Sequence, residues 1–374
     1  RSIMSISQSV FLGNYTYGKH PEGFGGTIMA NSNDGSNAST GGGDENFRSV
    51  SLTVSDSFFQ GRMDGEPSSW STGGCIFVLG DSDRMFSEPP IGTLEENRAQ
   101  LVITNSAFDN CDVETSVTGG SPDPGTGAGG GISGTLTNLQ LLDSIIINSD
   151  AKGAKGAGGG FRVVIESDAT VTRSTFANNT AGLRGGALQL GGSHLNLWES
   201  QFMHNEVTGD DYQGSAMYNT QQTVFGTKME ARGVVYTSVF SNNDSQNDKA
   251  IWDQDSKAGP INNIEYEENA FWSPFNPLVY RDNIFPEGSA GETVDGLNAL
   301  VVARNSGVEA TDKAPFNDNV ALSETPELLA IIAVPSVLVE PSSTDPGPKL
   351  ESYVVYAWDS AVGAALNGES LASF

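Results

Sequence analysis

The sequence predicts an all-β solenoid, short strands wound coil upon coil, and three observations carry that expectation. The first is a phrase that returns: Thr170–Asn179 leads to Gly185-Gly186-Ala187-Leu188, and Leu195–Asn205 then leads to Gly214-Ser215-Ala216-Met217. The second is its length. At about 26 residues, counted from Phe176 to Phe202, one copy cannot bury its own apolar face and must stack on its neighbours. The third is a short alternating run inside each copy, such as Leu52-Thr53-Val54 or Leu139-Gln140-Leu141, the mark of a half-buried strand.

The elements follow in order. Eight centres are readable at Phe11, Phe59, Phe108, Ile146, Phe176, Phe202, Phe240 and Phe271. A serine precedes seven of them by two residues: Ser9, Ser57, Ser106, Ser144, Ser174, Ser200 and Ser238. Asparagine follows at two positions on (Asn110, Asn148, Asn178, Asn242) or three (Asn14, Asn179, Asn205, Asn243). It tolerates the left-handed region and bonds its own backbone, so it suits a tight corner, and stacked copies form amide ladders. A small-residue pair then opens a second strand: Gly25-Gly26, Gly73-Gly74, Gly130-Gly131, Gly159-Gly160, Gly185-Gly186 and Gly214-Ser215. Surplus length falls in Asn31–Phe47, Gly80–Asn97, Asp112–Gly129 and Asn219–Glu230, which are read as loops at the corners.

This pattern resembles the right-handed parallel β-helix of the pectin-lyase-like superfamily. More narrowly it is similar to the repeats of polymorphic outer membrane proteins, which pair a Gly-Gly-Ala-Ile element with a Phe-x-x-Asn element. The first is matched by Gly185-Gly186-Ala187-Leu188, the second at Phe11/Asn14, Phe176/Asn179, Phe202/Asn205 and Phe240/Asn243. The resemblance implies about eight coils over residues 1–285, a stack of roughly 34 Å at the usual strand spacing. Residues 286–374 read as a β-rich C-terminal segment, a partial β-sandwich. There Ala333-Val334-Pro335-Ser336-Val337, Tyr353–Trp358 and Ala365–Gly368 are similar to the opening half of an immunoglobulin-like module.

Composition bounds the function. A net charge of −27 over 374 residues repels phosphate and argues against nucleic acid. The longest apolar run, Leu328–Val339, is too short for a membrane span and holds Pro335. The chain opens on Arg1-Ser2-Ile3-Met4, already inside a phrase, and is read as a piece of something longer. Sequons at Asn14, Asn37, Asn178 and Asn243 favour an extracellular, glycosylated surface protein. Cys75 and Cys111 are a candidate disulfide, although they fall at different phases of the repeat.

Chemistry is sparse. Of the elements that mark the superfamily's hydrolases, only Gly209-Asp210-Asp211 has a counterpart here, and glycoside hydrolysis needs two placed carboxylates. A lyase would need a basic residue beside carboxylates. Lys152, Lys155, Arg162, Arg173 and Arg184 fall in the central coils near Asp143, Asp150, Glu166 and Asp168, but Lys152 and Lys155 read more simply as exposed, solubilising charge. His20, His194 and His204 are isolated, without metal-ligand spacing. His204 stands where other copies have the corner asparagine. No cofactor is expected, though Asp81-Ser82-Asp83 and Asp253-Gln254-Asp255 alternate in a way that suits calcium. Gly156–Gly160 lacks the Lys-Ser/Thr and helix of a phosphate cradle. Of Trp70, Trp198, Trp252 and Trp272, Trp198 should point outward, opposite Leu195 and Leu197, as a candidate glycan contact.

The expected function is therefore a non-catalytic extracellular structural or adhesion segment, a rigid solenoid within a longer cell-surface or filament-forming protein. Its partners would be neighbouring subunits or domains, and glycans. A polysaccharide lyase or hydrolase and a glycan-binding module are the alternatives.

Overall fold

A computed structural model describes residues 2–13, 25–32, 50–62, 72–85, 92–114, 129–153, 156–209, 213–224, 227–236, 238–241, 243, 251–254, 263–267, 270–272, 279–281, 316–317, 320–321, 327–333 and 354–359. These residues are almost all strand. Three long parallel sheets of nine, eight and nine strands run the length of the column, and a fourth of four strands lies beside them. Among the described residues each of the first eight coils contributes one strand to each long sheet and a ninth contributes to two, so the sheets wrap a common core in the manner of a β-solenoid.

The long-strand sheet carries the alternating runs. Leu52, Leu101, Leu139, Ala169 and Leu195 are in register, as are Val54, Ile103, Leu141, Val171 and Leu197. Both rows are buried in one continuous core. The eight centres form their own three-residue strands, all in register from Phe11 to Phe271. Their rings stack at centroid distances of 4.7 Å (Phe11–Phe59), 4.8 Å (Phe59–Phe108), 4.7 Å (Phe176–Phe202) and 4.9 Å (Phe202–Phe240). Where Ile146 interrupts the row, Phe161 reaches in from another sheet and meets Phe176 at 6.1 Å.

Sequence reading gives two strands per coil; the structure has three. A single residue at positive φ (Asp56, Asn105, Asp143, Arg173 or Glu199) followed by the serine separates the alternating run from the centre. The column also continues past residue 285. Phe316–Asn317 pairs with Tyr266–Glu267, and Val320–Ala321 with Ala270–Phe271. This ninth pair escapes the sequence pattern because alanine takes the phenylalanine place. Farther on, Glu327–Ala333 pairs antiparallel with Val354–Asp359.

Buried polar ladders close the corners. Along the row of seven serines, the backbone N–H of each of the first six donates to the hydroxyl one coil on, at 3.1–3.3 Å. Each hydroxyl donates to the carbonyl two residues before it. At the next corner the two asparagine positions separate. Asn110, Asn148, Asn178 and His204 take positive φ. Asn179, Asn205 and Asn243 point inward, the N–H of one donating to the Oδ1 of the next at 3.0 and 3.1 Å. Their amides donate to the carbonyls of Ile146, Phe176 and Phe202.

The glycine pairs serve two purposes. Gly185 takes φ +60°, whereas a Cβ on Gly186 would stand 2.2 Å from the Ser215 carbonyl oxygen. By strand register the equivalent pairs are Gly129-Gly130 and Gly158-Gly159, one residue earlier than the sequence pattern places them. Cys75, just past the glycine pair of its coil, is joined to Cys111 by a disulfide with the Cα atoms 5.3 Å apart. Different phases of the repeat are no obstacle, because the two corners meet: a Cβ on Gly74 would lie 2.3 Å from the Cys111 oxygen.

Three of the surplus segments have structure among the described residues, and Asp112–Gly129 opens with the strand Val113–Glu114 of the fourth sheet. Gly80–Asn97 holds the short helices Ser82–Met85 and Leu94–Asn97, the second opened by a Thr93/Glu96 capping box. Asn219–Glu230 holds the hairpin of Gln222–Val224 with Thr227–Met229.

Losing a ladder asparagine strands the N–H and carbonyl it serves. Asn205→Ala should cost about 3 kcal/mol in urea unfolding. Asn178→Gly, at the exposed positive-φ corner, should cost less than about 0.5 kcal/mol. Equal costs would mean that the ladder carries no special share of the stability.

Candidate functional site

The arginines singled out by sequence fall into two places: Arg162 and Arg184 reach the same outward row, through Gln189 and its neighbour Tyr218, while Arg173 stands at a corner. Arg162 lies on the outward row of the glycine-led sheet yet is only 4% exposed. Its Nε donates to Gln189 Oε1 at 3.1 Å, and burial lowers its pKa to about 10. Arg173 sits on a different edge, at an exposed corner, with both Asp143 oxygens within 2.6 and 2.8 Å. That hydrogen bond raises its pKa, partly offset by desolvation. Arg184 lies over the Tyr218 ring, 4.9 Å from its centroid. Asp210, Asp211 and Lys155 lie outside the described residues.

Lys152 corrects an expectation. Instead of free, solubilising charge, its Nζ lies 2.8 Å from Asp112 Oδ2, on the small fourth sheet. Asp112 is 5% exposed and its Oδ1 accepts the Asp150 N–H at 3.1 Å. Burial, and then the neighbouring Asp112 carboxylate, push the Asp150 pKa up to about 7, with Lys152 opposing. Burial raises Asp112 as well, against the pull of Lys152.

The sequons divide. Asn178 is exposed at its corner. Asn243 is 1% exposed, with its Nδ2 on the Phe202 carbonyl. A glycan there would need the nitrogen that the ladder has enclosed, so the described fold does not accommodate Asn243 as a glycosylation site. Asn14 and Asn37 lie outside the described residues, as do Trp70, His20 and Asp255. His204 is an exposed corner residue. Asp81 donates its N–H to the Asn97 carbonyl and leads into the helix Ser82–Met85. Among the described residues, no three His, Cys, Asp or Glu side chains converge as a metal would require. No helix among them is long and apolar enough to cross a membrane.

One region gathers several aromatic and charged side chains, on the outward face of the long-strand sheet. In the strand His194–Trp198, Leu195 and Leu197 face the core, so His194, Asn196 and Trp198 face out. Trp198 is 44% exposed. On the next coil, Arg232, Val234 and Tyr236 stand in register with those three, and on the preceding coil Asp168 stands beside His194. His194 Nδ1 lies 3.1 Å from Asp168 Oδ1. At the His194 end, the hairpin of residues 222–229 packs onto the column at Gly192, where a Cβ would lie 2.7 Å from Met229 Cβ.

A cavity of about 260 Å³ lies under that hairpin, lined among others by Glu166, Ser193, Lys228, Glu230 and Arg232. Glu166 is held by its carbonyl, which accepts Arg98 Nε at 2.7 Å. Its carboxylate is 3.9 Å from Arg232 Nη2. Sequence reading finds Trp198 and the loop insertion but not their union, which needs the register that puts Asp168, His194 and Arg232 side by side. Comparison with known proteins assigns nothing further: no protein-family model matches the chain, and no curated protein is significantly similar to it.

The Asp150 pKa gives a test with a definite sign. Between about pH 4 and 7 the folded state binds a proton at Asp150 that the unfolded chain has released, so stability falls as pH rises through that window. Asp150→Asn should therefore stabilise the protein at pH 8 by roughly 1–3 kcal/mol and change little at about pH 4. Denaturant melts at the two pH values check this.

Proposed function

We propose that the chain is a non-catalytic extracellular structural or adhesive segment, a rigid right-handed parallel β-helix of the pectin-lyase-like kind within a longer surface or filament-forming protein. Right-handedness follows the general rule for crossovers between parallel strands. The observation that carries the functional reading is how the charged groups of the central coils are used. Arg173 is committed to Asp143 and Lys152 to Asp112. Arg162 is committed to Gln189 and Arg184 to the Tyr218 ring, and Arg173, which also has Glu199 at 4.0 Å, stands at an exposed corner. Such cross-coil pairs and the buried ladders stiffen a column; they do not assemble an acid, a base and a binding groove.

The Cys75–Cys111 disulfide supports export, since disulfides persist in oxidising compartments. The net charge of −27 fits a solvated surface and basic or neutral partners over nucleic acid. Subunits or domains of the same assembly, and glycans, are the partners this reading proposes. The β-rich segment beyond the column, including the Glu327–Ala333 and Val354–Asp359 pair, would serve as a connecting module. Calcium is no part of this reading.

One observation favours a polysaccharide lyase as the second reading: the Arg162 guanidinium, with its pKa lowered to about 10, has moved towards the range of a usable base. It is also 4% exposed, which removes it from substrate. The two readings separate in one assay. The protein is incubated with polygalacturonate, alginate and neutral β-glucans while unsaturated products and reducing ends are followed. The structural reading expects no turnover, and small-angle scattering from an elongated particle whose nine-coil section spans about 38 Å. Turnover that disappears in Arg162→Gln would replace it with the lyase reading.

A further inference from the structure

We infer that the outward face of the long-strand sheet, from the hairpin cavity to Trp198, is a binding site for a short neutral oligosaccharide. This inference adds a ligand to the non-catalytic reading and rests on it only in expecting binding without turnover.

The placement argues for the ligand. His194 and Trp198 lie on one strand four residues apart, about 13 Å along the sheet, the length of two to three sugar rings. One end of that span is an aromatic platform, with Trp198 44% exposed and Tyr236 beside it in register on the next coil. The other end is a polar pocket of about 260 Å³ where Glu166, Lys228, Glu230 and Arg232 meet. Sugar rings carry both characters, an apolar C–H face that stacks on aromatic rings and a rim of hydroxyls that donate and accept. Carboxylates accept from such hydroxyls, and the Arg232 guanidinium, 49% exposed, donates to them.

Competing ligands fit less well. The strands His194–Trp198 and Arg232–Tyr236 are paired on both sides, so a peptide has no strand edge to extend. A polyanion meets a pocket in which Glu166 and Glu230 offset Lys228 and Arg232, on a protein of net charge −27, and is repelled at long range. A neutral glycan meets neither obstacle. The rigid sheet beneath holds both ends of the site at fixed separation, so little ordering cost is left to binding.

The test uses the whole chain with cellohexaose, laminarihexaose, xylohexaose and mannohexaose, titrated by calorimetry and tryptophan fluorescence. At least one should bind saturably. Trp198→Ala should weaken it at least tenfold and Arg232→Gln several-fold, with unchanged circular dichroism and melting temperature. No binding by any of the four, or binding indifferent to Trp198→Ala, would overturn the inference. So would binding of polygalacturonate alone, or of displayed peptides alone. Reducing ends are measured in the same tubes. Their release would overturn the non-catalytic reading while leaving the site assignment in place.

Discussion

The constraint on which the rest of this structure depends is that corners turned inside a wound column still carry backbone N–H and C=O groups. Those groups have no water to bond and no helix to satisfy them. The chain meets the requirement with two internal ladders, serine at one corner and asparagine at the next. Each rung takes an N–H from one coil and returns a hydrogen bond to a carbonyl at 2.6–3.4 Å. Everything else follows from keeping those ladders in line. Strands must stay in register, the phenylalanine rings must stack at strand spacing, and added length must leave the coil at its edges.

That division explains what could be read beforehand. Serine two residues ahead of each centre and asparagine three behind are visible because a ladder tolerates little substitution. The ring row is visible for the same reason: Ile146 is its one break before Phe271, and Phe161 moves in beside it. The third strand per coil was hidden because its boundary is a conformation, a single residue at positive φ that Asp56, Asn105, Arg173 and Glu199 all adopt. No residue type marks it. The ninth pair was hidden because Ala321 carries none of the pattern.

The candidate site was legible only in parts. Alternation alone turns Trp198 outward, and the surplus length at Asn219–Glu230 announces a loop. The rows that set Trp198 beside Tyr236 and, four residues away, His194 beside Asp168 and Arg232 depend on which residues of different coils pair, and unequal spacings between coils conceal that. Lys152 misled for a related reason. Its Gly/Ala-rich surroundings suggest an exposed turn, while its partner Asp112 lies on the preceding coil. Asn243 satisfies the local grammar of a glycosylation sequon, yet its side chain belongs to the ladder. In a stacked fold, what a residue does is set by its neighbours above and below more than by those beside it in sequence.

The covalent link between Cys75 and Cys111 then acquires a mechanical meaning. A column held by coil-to-coil contacts peels from its ends, one turn at a time, when it is pulled. The bridge ties the second coil to the third across 36 residues of chain, so tension arriving from the first coil passes through sulfur and bypasses the polypeptide between them. Unravelling from that side is checked within the first few turns, and the central coils beyond the staple, including the face that bears Trp198, keep their spacing under load.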